Sequence, residues 1–115
     1  MKLMIVDDNK EIRIFLRSLF EDTAEEIIEC CDGLSAVESY TKYYPDYVLM
    51  DIEMKPMDGL MATEKIMDNN PDAKVIIVTS HNNPNLYNAT KSLGAMAFVL
   101  KDNLIELVEI INKEK

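Results

Sequence analysis

The sequence predicts an α/β fold in which one open sheet of five parallel strands is covered by helices on both faces. Two observations carry that prediction: continuous apolar runs of strand length, and amphipathic stretches of helical period between them. The length of 115 residues limits it to one ordinary domain. Apolarity that is continuous rather than alternating means burial on both faces, as in parallel strands sandwiched by helices. Five βα units joined by right-handed crossovers make an open, doubly wound sheet, because a closed barrel takes eight units and a longer chain.

The first strand is Leu3 to Val6. After it, Ile12, Phe15, Leu16, Leu19 and Phe20 fall at helical spacing on one apolar stripe, with Asn9 placed as the N-cap. The segment "IIECC", residues 27–31, reads as a weaker second strand. A helix is expected over 34–44, a third strand from Tyr47 to Met50, a helix over 59–69 and a fourth strand from Val75 to Val78. Pro84 suits the first position of a helix over 84–93, and Gly94 suits its stop. Phe98 to Leu100 is the last strand. The final helix, expected over 103–113, carries Leu104, Leu107, Val108 and Ile111 on one face, and "NKEK" reads as its frayed end.

The formal net charge of −9 repels a phosphate backbone, and the 12 Lys and Arg residues form no cluster, which argues against direct nucleic-acid binding. No apolar run approaches the length of a membrane span or of a signal-peptide core, so no membrane partner and a cytoplasmic location are expected. Cys30 and Cys31 are neighbours and cannot staple distant segments. They read as small apolar strand residues in a reducing compartment.

Open α/β sheets bind ligands at the carboxyl ends of their strands. There the sequence puts Asp7 and Asp8 after the first strand, Asp51 after the third, Thr79 after the fourth and Lys101 after the fifth. Two unit charges about 4 Å apart repel by roughly 4 kcal/mol at an effective dielectric near 20, so three carboxylates in one crevice call for a cation. With only oxygen ligands on offer, Mg²⁺ or Mn²⁺ is preferred over zinc. Lys101 and Thr79 are residue types that hold phosphate oxygens. A carboxylate beside the metal can attack phosphorus to form an acyl phosphate, and Asp51, alone at the end of a central strand, is the candidate nucleophile.

Together, "VDDN", "VLMDIEMKPMDGL", "VIIVTS" and "LGAMAFVLKD" make the chain resemble, over residues 1–115, the receiver domain of two-component response regulators. The resemblance implies a flavodoxin-like (βα)5 domain with strand order 2-1-3-4-5. It implies that Asp51 accepts a phosphoryl group from a sensor histidine kinase or a phosphotransfer protein. Asp8 would bind Mg²⁺ directly and Asp7 commonly through water, with Asp51 and the backbone carbonyl of Glu53 completing the protein ligands. Lys101 would pair with the phosphoryl oxygens, the Thr79 hydroxyl would move to them, and Phe98 would swing inward with it. Glu53 and His81, two residues past Asp51 and Thr79, would tune the lifetime of the phosphorylated state.

The resemblance further implies a face over about residues 84–113 that signals to a downstream protein or to a missing C-terminal output domain, in a monomer or a phosphorylation-dependent dimer. Catalysis would be limited to the protein's own phosphoryl transfer and dephosphorylation. "FVLKD" is similar to receivers with LuxR-type outputs. Lys55 stands where the family has proline, with Pro56 next, and Asp102 follows Lys101 where proline is commoner. A cis bond before a non-proline residue costs about 2.5–4 kcal/mol, which leaves the geometry of the Lys101–Asp102 peptide open. Two alternatives stand beside this reading. One is a receiver-like binding module that works without phosphorylation. The other is a small haloacid-dehalogenase-like phosphohydrolase, whose usual DxD differs from the adjacent Asp7 and Asp8.

Overall fold

The computed structural model describes residues 1–114. Strands and helices alternate through the chain: β1 (Lys2–Val6), α1 (Lys10–Phe20), β2 (Glu26–Cys30), α2 (Gly33–Tyr43), β3 (Tyr47–Met50), α3 (Gly59–Asn69), β4 (Val75–Thr79), α4 (Pro84–Ser92), β5 (Ala97–Leu100) and α5 (Ile105–Glu114). All strand pairs are parallel and the order is β2-β1-β3-β4-β5, as expected for the doubly wound class.

The continuous apolarity of the strands follows from a core on each face. On one face Met4, Val6, Val48, Met50, Val75 and Ile77 pack against Ala36 and Tyr40 of α2 and Ala62 and Ile66 of α3. On the other, Leu3, Ile5, Leu49, Ile76 and Val78 meet Leu16 and Phe20 of α1 and Leu107 and Ile111 of α5. Adjacent strand residues point to opposite faces, so β1, β3 and β4, whose residues are nearly all buried, serve both cores. At the sheet edge, β2 buries only Cys30 fully, which explains its weaker signal.

Helix starts follow their caps. Asn9 accepts the amide hydrogens of Glu11 and Ile12, Asp32 that of Ser35, and Asp58 that of Met61. Pro84 opens α4 behind the Asn83 cap, and Gly94 takes φ +94° just past that helix.

Three expectations are corrected. Phe15 is half exposed, because Leu16 and Phe20 hold the centre of the α1 face and Phe15 falls on its margin. Cys31 lies beyond the end of β2 and is exposed. The last helix starts at Ile105, after a turn over residues 101–102. It runs through Glu114, one residue past the expected end, where Lys74 pairs with the Glu114 carboxylate at 2.5 Å; Lys115 lies outside the described residues. Among the described residues the cis peptide is Lys55–Pro56, and Lys101–Asp102 is trans.

Candidate functional site

The strand order reverses between β1 and β3, and the carboxyl ends of these two strands carry Asp7, Asp8 and Asp51. Each of the three offers an oxygen within 4.8 Å of the others. The neighbouring acids differ sharply in burial. Asp7 is 1% exposed and Asp51 5%, whereas Asp8 faces solvent.

Asp7 is held at every polar group. Its amide donates to the Cys30 carbonyl at 3.1 Å, and Oδ1 accepts the Asn9 amide at 2.9 Å. Its Oδ2 accepts no hydrogen bond of good angle but lies 2.9 Å from the Lys101 ammonium, so the contact is an ion pair. Lys101 also reaches Asp51 Oδ1 at 3.1 Å. One lysine therefore bridges the two buried carboxylates. The Asp51 amide donates to Val6 at 2.9 Å, which locks the end of β3 to β1.

Gly59 lets the start of α3 approach this point. A Cβ there would lie 1.8 Å from the Asp51 carbonyl oxygen, and the Gly59 amide donates to Ile52 at 2.8 Å.

Burial, and then the charge of Asp7, push the Asp51 carboxyl up to about 6 against the opposing pull of Lys101. For Lys101, burial works to lower the pKa, but Asp7 and Asp51 outweigh it and hold the ammonium above its usual range. The pocket is thus short of positive charge even with its lysine in place. The donor set is three carboxylates, within reach of a small cation with about 2.1 Å bonds after modest side-chain rotation, and so it fits Mg²⁺ or Mn²⁺.

Thr79 ends β4 and is buried, its hydroxyl oxygen accepting the His81 amide at 3.1 Å, and its carbonyl accepts the Lys101 amide at 2.8 Å. Phe98, on β5, is half-buried and meets Tyr87 of α4 edge-on at 5.5 Å between ring centres. The exposed side chains of Glu53 and His81 contact each other through Oε1 and Nε2. Neither meeting was visible in the sequence, since each joins loops or elements whose spacing in the chain carries no period. A third unforeseen contact is that of Arg13 with the Asp7 carbonyl.

The family model for the response regulator receiver domain matches residues 3–112. The chemotaxis protein CheY of Listeria monocytogenes is 35% identical over 114 residues, covering 95% of this chain and 96% of that protein. Two solved structures are similar throughout. A LuxR-family DNA-binding response regulator from Staphylococcus aureus is 33% identical with a TM-score of 0.87, covering 97% of this chain and 96% of that one. The CheX-CheY-BeF3-Mg²⁺ complex of Borrelia burgdorferi contributes a chain 26% identical with a TM-score of 0.86, covering 96% of this chain and 88% of that one.

Proposed function

Because this chain belongs to the response regulator receiver domain family, a family of signalling proteins, we propose that it is a switch phosphorylated on Asp51 by a phosphohistidine donor. A sensor histidine kinase or a phosphotransfer protein is the donor. An Asp51 oxygen attacks phosphorus, the N–P bond of the donor breaks, its electron pair returns to the imidazole, and an acyl phosphate remains on Asp51. The single observation that carries this reading is the buried Asp51 carboxylate beside Asp7 and Lys101 at the switch point of the sheet.

Asp8 and Asp51, with Asp7 and the backbone carbonyl of Glu53, hold Mg²⁺ or Mn²⁺, which when bound supplies positive charge to the carboxylates and the phosphoryl oxygens. The relative captured in a complex with BeF3 and Mg²⁺ supports the choice of cation. Lys101, freed from one of its two carboxylates, pairs with a phosphoryl oxygen, and the Thr79 hydroxyl turns to donate to another. Phe98, on the strand beside Thr79, follows that movement and changes the α4–β5–α5 face presented to a downstream protein or output domain. Glu53 and His81 flank the route of attacking water and set the rate at which the chain dephosphorylates itself. The switch works in the cytoplasm; no helix among the described residues is long and apolar enough to cross a membrane.

Intact mass after incubation with acetyl phosphate tests the proposal. One phosphoryl adduct is expected, dependent on Mg²⁺ and lost in Asp51→Asn. An adduct that survives Asp51→Asn would contradict the choice of nucleophile.

A further inference from the structure

Asp8 is the exposed member of the acidic cluster, and its carboxylate is not among those that hydrogen bonds or Lys101 hold in place. The main chain, through the Asp7–Asp8 peptide, fixes where its Cα–Cβ bond points and so the arc its carboxylate can sweep. The carbonyl of that peptide accepts a hydrogen bond from Arg13 Nη1 at 2.7 Å. Arg13 belongs to the first turn of α1, and its side chain is 17% exposed. The same guanidinium pairs through Nε with Glu29 of β2 at 3.2 Å, and Arg17 clasps the other Glu29 oxygen at 2.9 Å.

We infer that Arg13 is a positioning residue for the divalent cation, acting through the Asp7 carbonyl to aim the Asp8 carboxylate into the crevice. The inference rests on the metal-binding reading above and deepens it. Three features separate this role from simple clamping of α1 to β2. The bond is short and charge-assisted, and it lands on the one peptide that joins the two acids. Glu29 neutralises the guanidinium, so a cation in the crevice meets little added repulsion from it. Arg17, one helical turn on, shares Glu29 but sends its second contact to the Ile27 carbonyl at 3.5 Å, away from the acids. Arg17 is thus a built-in control for the structural part of the cluster. Hydrogen-bond partners behind metal ligands are commonly worth about ten- to a hundredfold in affinity.

The test titrates Mg²⁺ into the full chain, followed by amide NMR shifts, without any phosphodonor. Arg13→Met is expected to weaken Mg²⁺ binding about tenfold. Arg13→Lys, which can still donate to the carbonyl, regains most of the affinity, and Arg17→Met stays within about twofold of the parent, since it touches no group behind the ligands. With acetyl phosphate, the Mg²⁺ concentration giving half-maximal rate rises in Arg13→Met, while the rate at saturating Mg²⁺ holds. Should Arg13→Met fail to fold, Arg13→Gln, too short to keep the contact, carries the same expectation. Unchanged affinity in a folded Arg13 variant lacking the contact, an equal loss in Arg17→Met, or an Arg13→Lys no better than Arg13→Met would overturn the inference. A parent chain that binds no Mg²⁺ at all would instead overturn the metal-binding reading beneath it.

Discussion

Removing one carboxylate from the acidic pocket should stabilise this protein at neutral and alkaline pH when divalent cations are absent. Asp51→Asn keeps the shape of the side chain and deletes its charge. The Asp51 carboxyl is raised from 3.8 to about 6, first by burial and then by Asp7. At 1.36 kcal/mol per pKa unit, that displacement corresponds to about 3 kcal/mol. The folded state holds the proton more tightly than the unfolded chain, so the contribution is fully present below about pH 3.8 and is lost as pH rises through about 6. Integrating the two titrations between pH 5 and pH 8 gives a loss of about 1 kcal/mol in that window. The chain has no tryptophan, so the assay is urea unfolding followed by far-ultraviolet circular dichroism, in EDTA, at intervals across this range. The parent should lose about 1 kcal/mol relative to Asp51→Asn from pH 5 to pH 8, and saturating Mg²⁺ should erase the difference in slope. Parallel pH dependences for parent and variant in EDTA would refute the reasoning, because they would mean that Asp51 ionises as freely in the folded chain as in the unfolded one.

Two further substitutions probe the same pocket. Lys101→Met leaves Asp7 and Asp51 buried together without their shared cation and should cost about 3 kcal/mol at pH 8 in EDTA. Mg²⁺ should recover most of that loss in urea unfolding, and a loss insensitive to Mg²⁺ would count against the electrostatic account. Gly59→Ala drives a methyl group into the Asp51 carbonyl oxygen and should destabilise by about 3 kcal/mol by thermal unfolding, with or without Mg²⁺. A neutral outcome there would mean that the α3 start yields more easily than its contacts imply.

The sheet was legible in the sequence because its central strands are buried on both faces. Leu3 to Val6, Tyr47 to Met50 and Val75 to Val78 had to be continuous apolar runs, while β2, at an edge, was faint for the opposite reason. Helix starts were legible where a cap or a proline marked them, as at Asn9 and Pro84. Phe15 misled because periodicity identifies a stripe but not its margins. At the site, strand ends brought Asp7, Asp8, Asp51 and Lys101 to one edge, since the topology of an open sheet fixes that edge. The division of the acidic pair into one buried and one exposed member could not be read, because it depends on which side of the turn each residue leaves the strand. The Arg13 contact was hidden for another reason: its target is a carbonyl oxygen that every residue type carries equally.

The most direct test of the account is to locate the phosphoryl group. The chain is treated with acetyl phosphate and Mg²⁺, the acyl phosphate is reduced with borohydride to a homoserine residue, and the modified position is identified by peptide mass spectrometry. Homoserine at position 51 alone, absent when EDTA replaces Mg²⁺, is the predicted result. Homoserine at position 7 or 8, or none at any position in a chain that binds Mg²⁺, would contradict the claim that Asp51 is the group this pocket is built to phosphorylate.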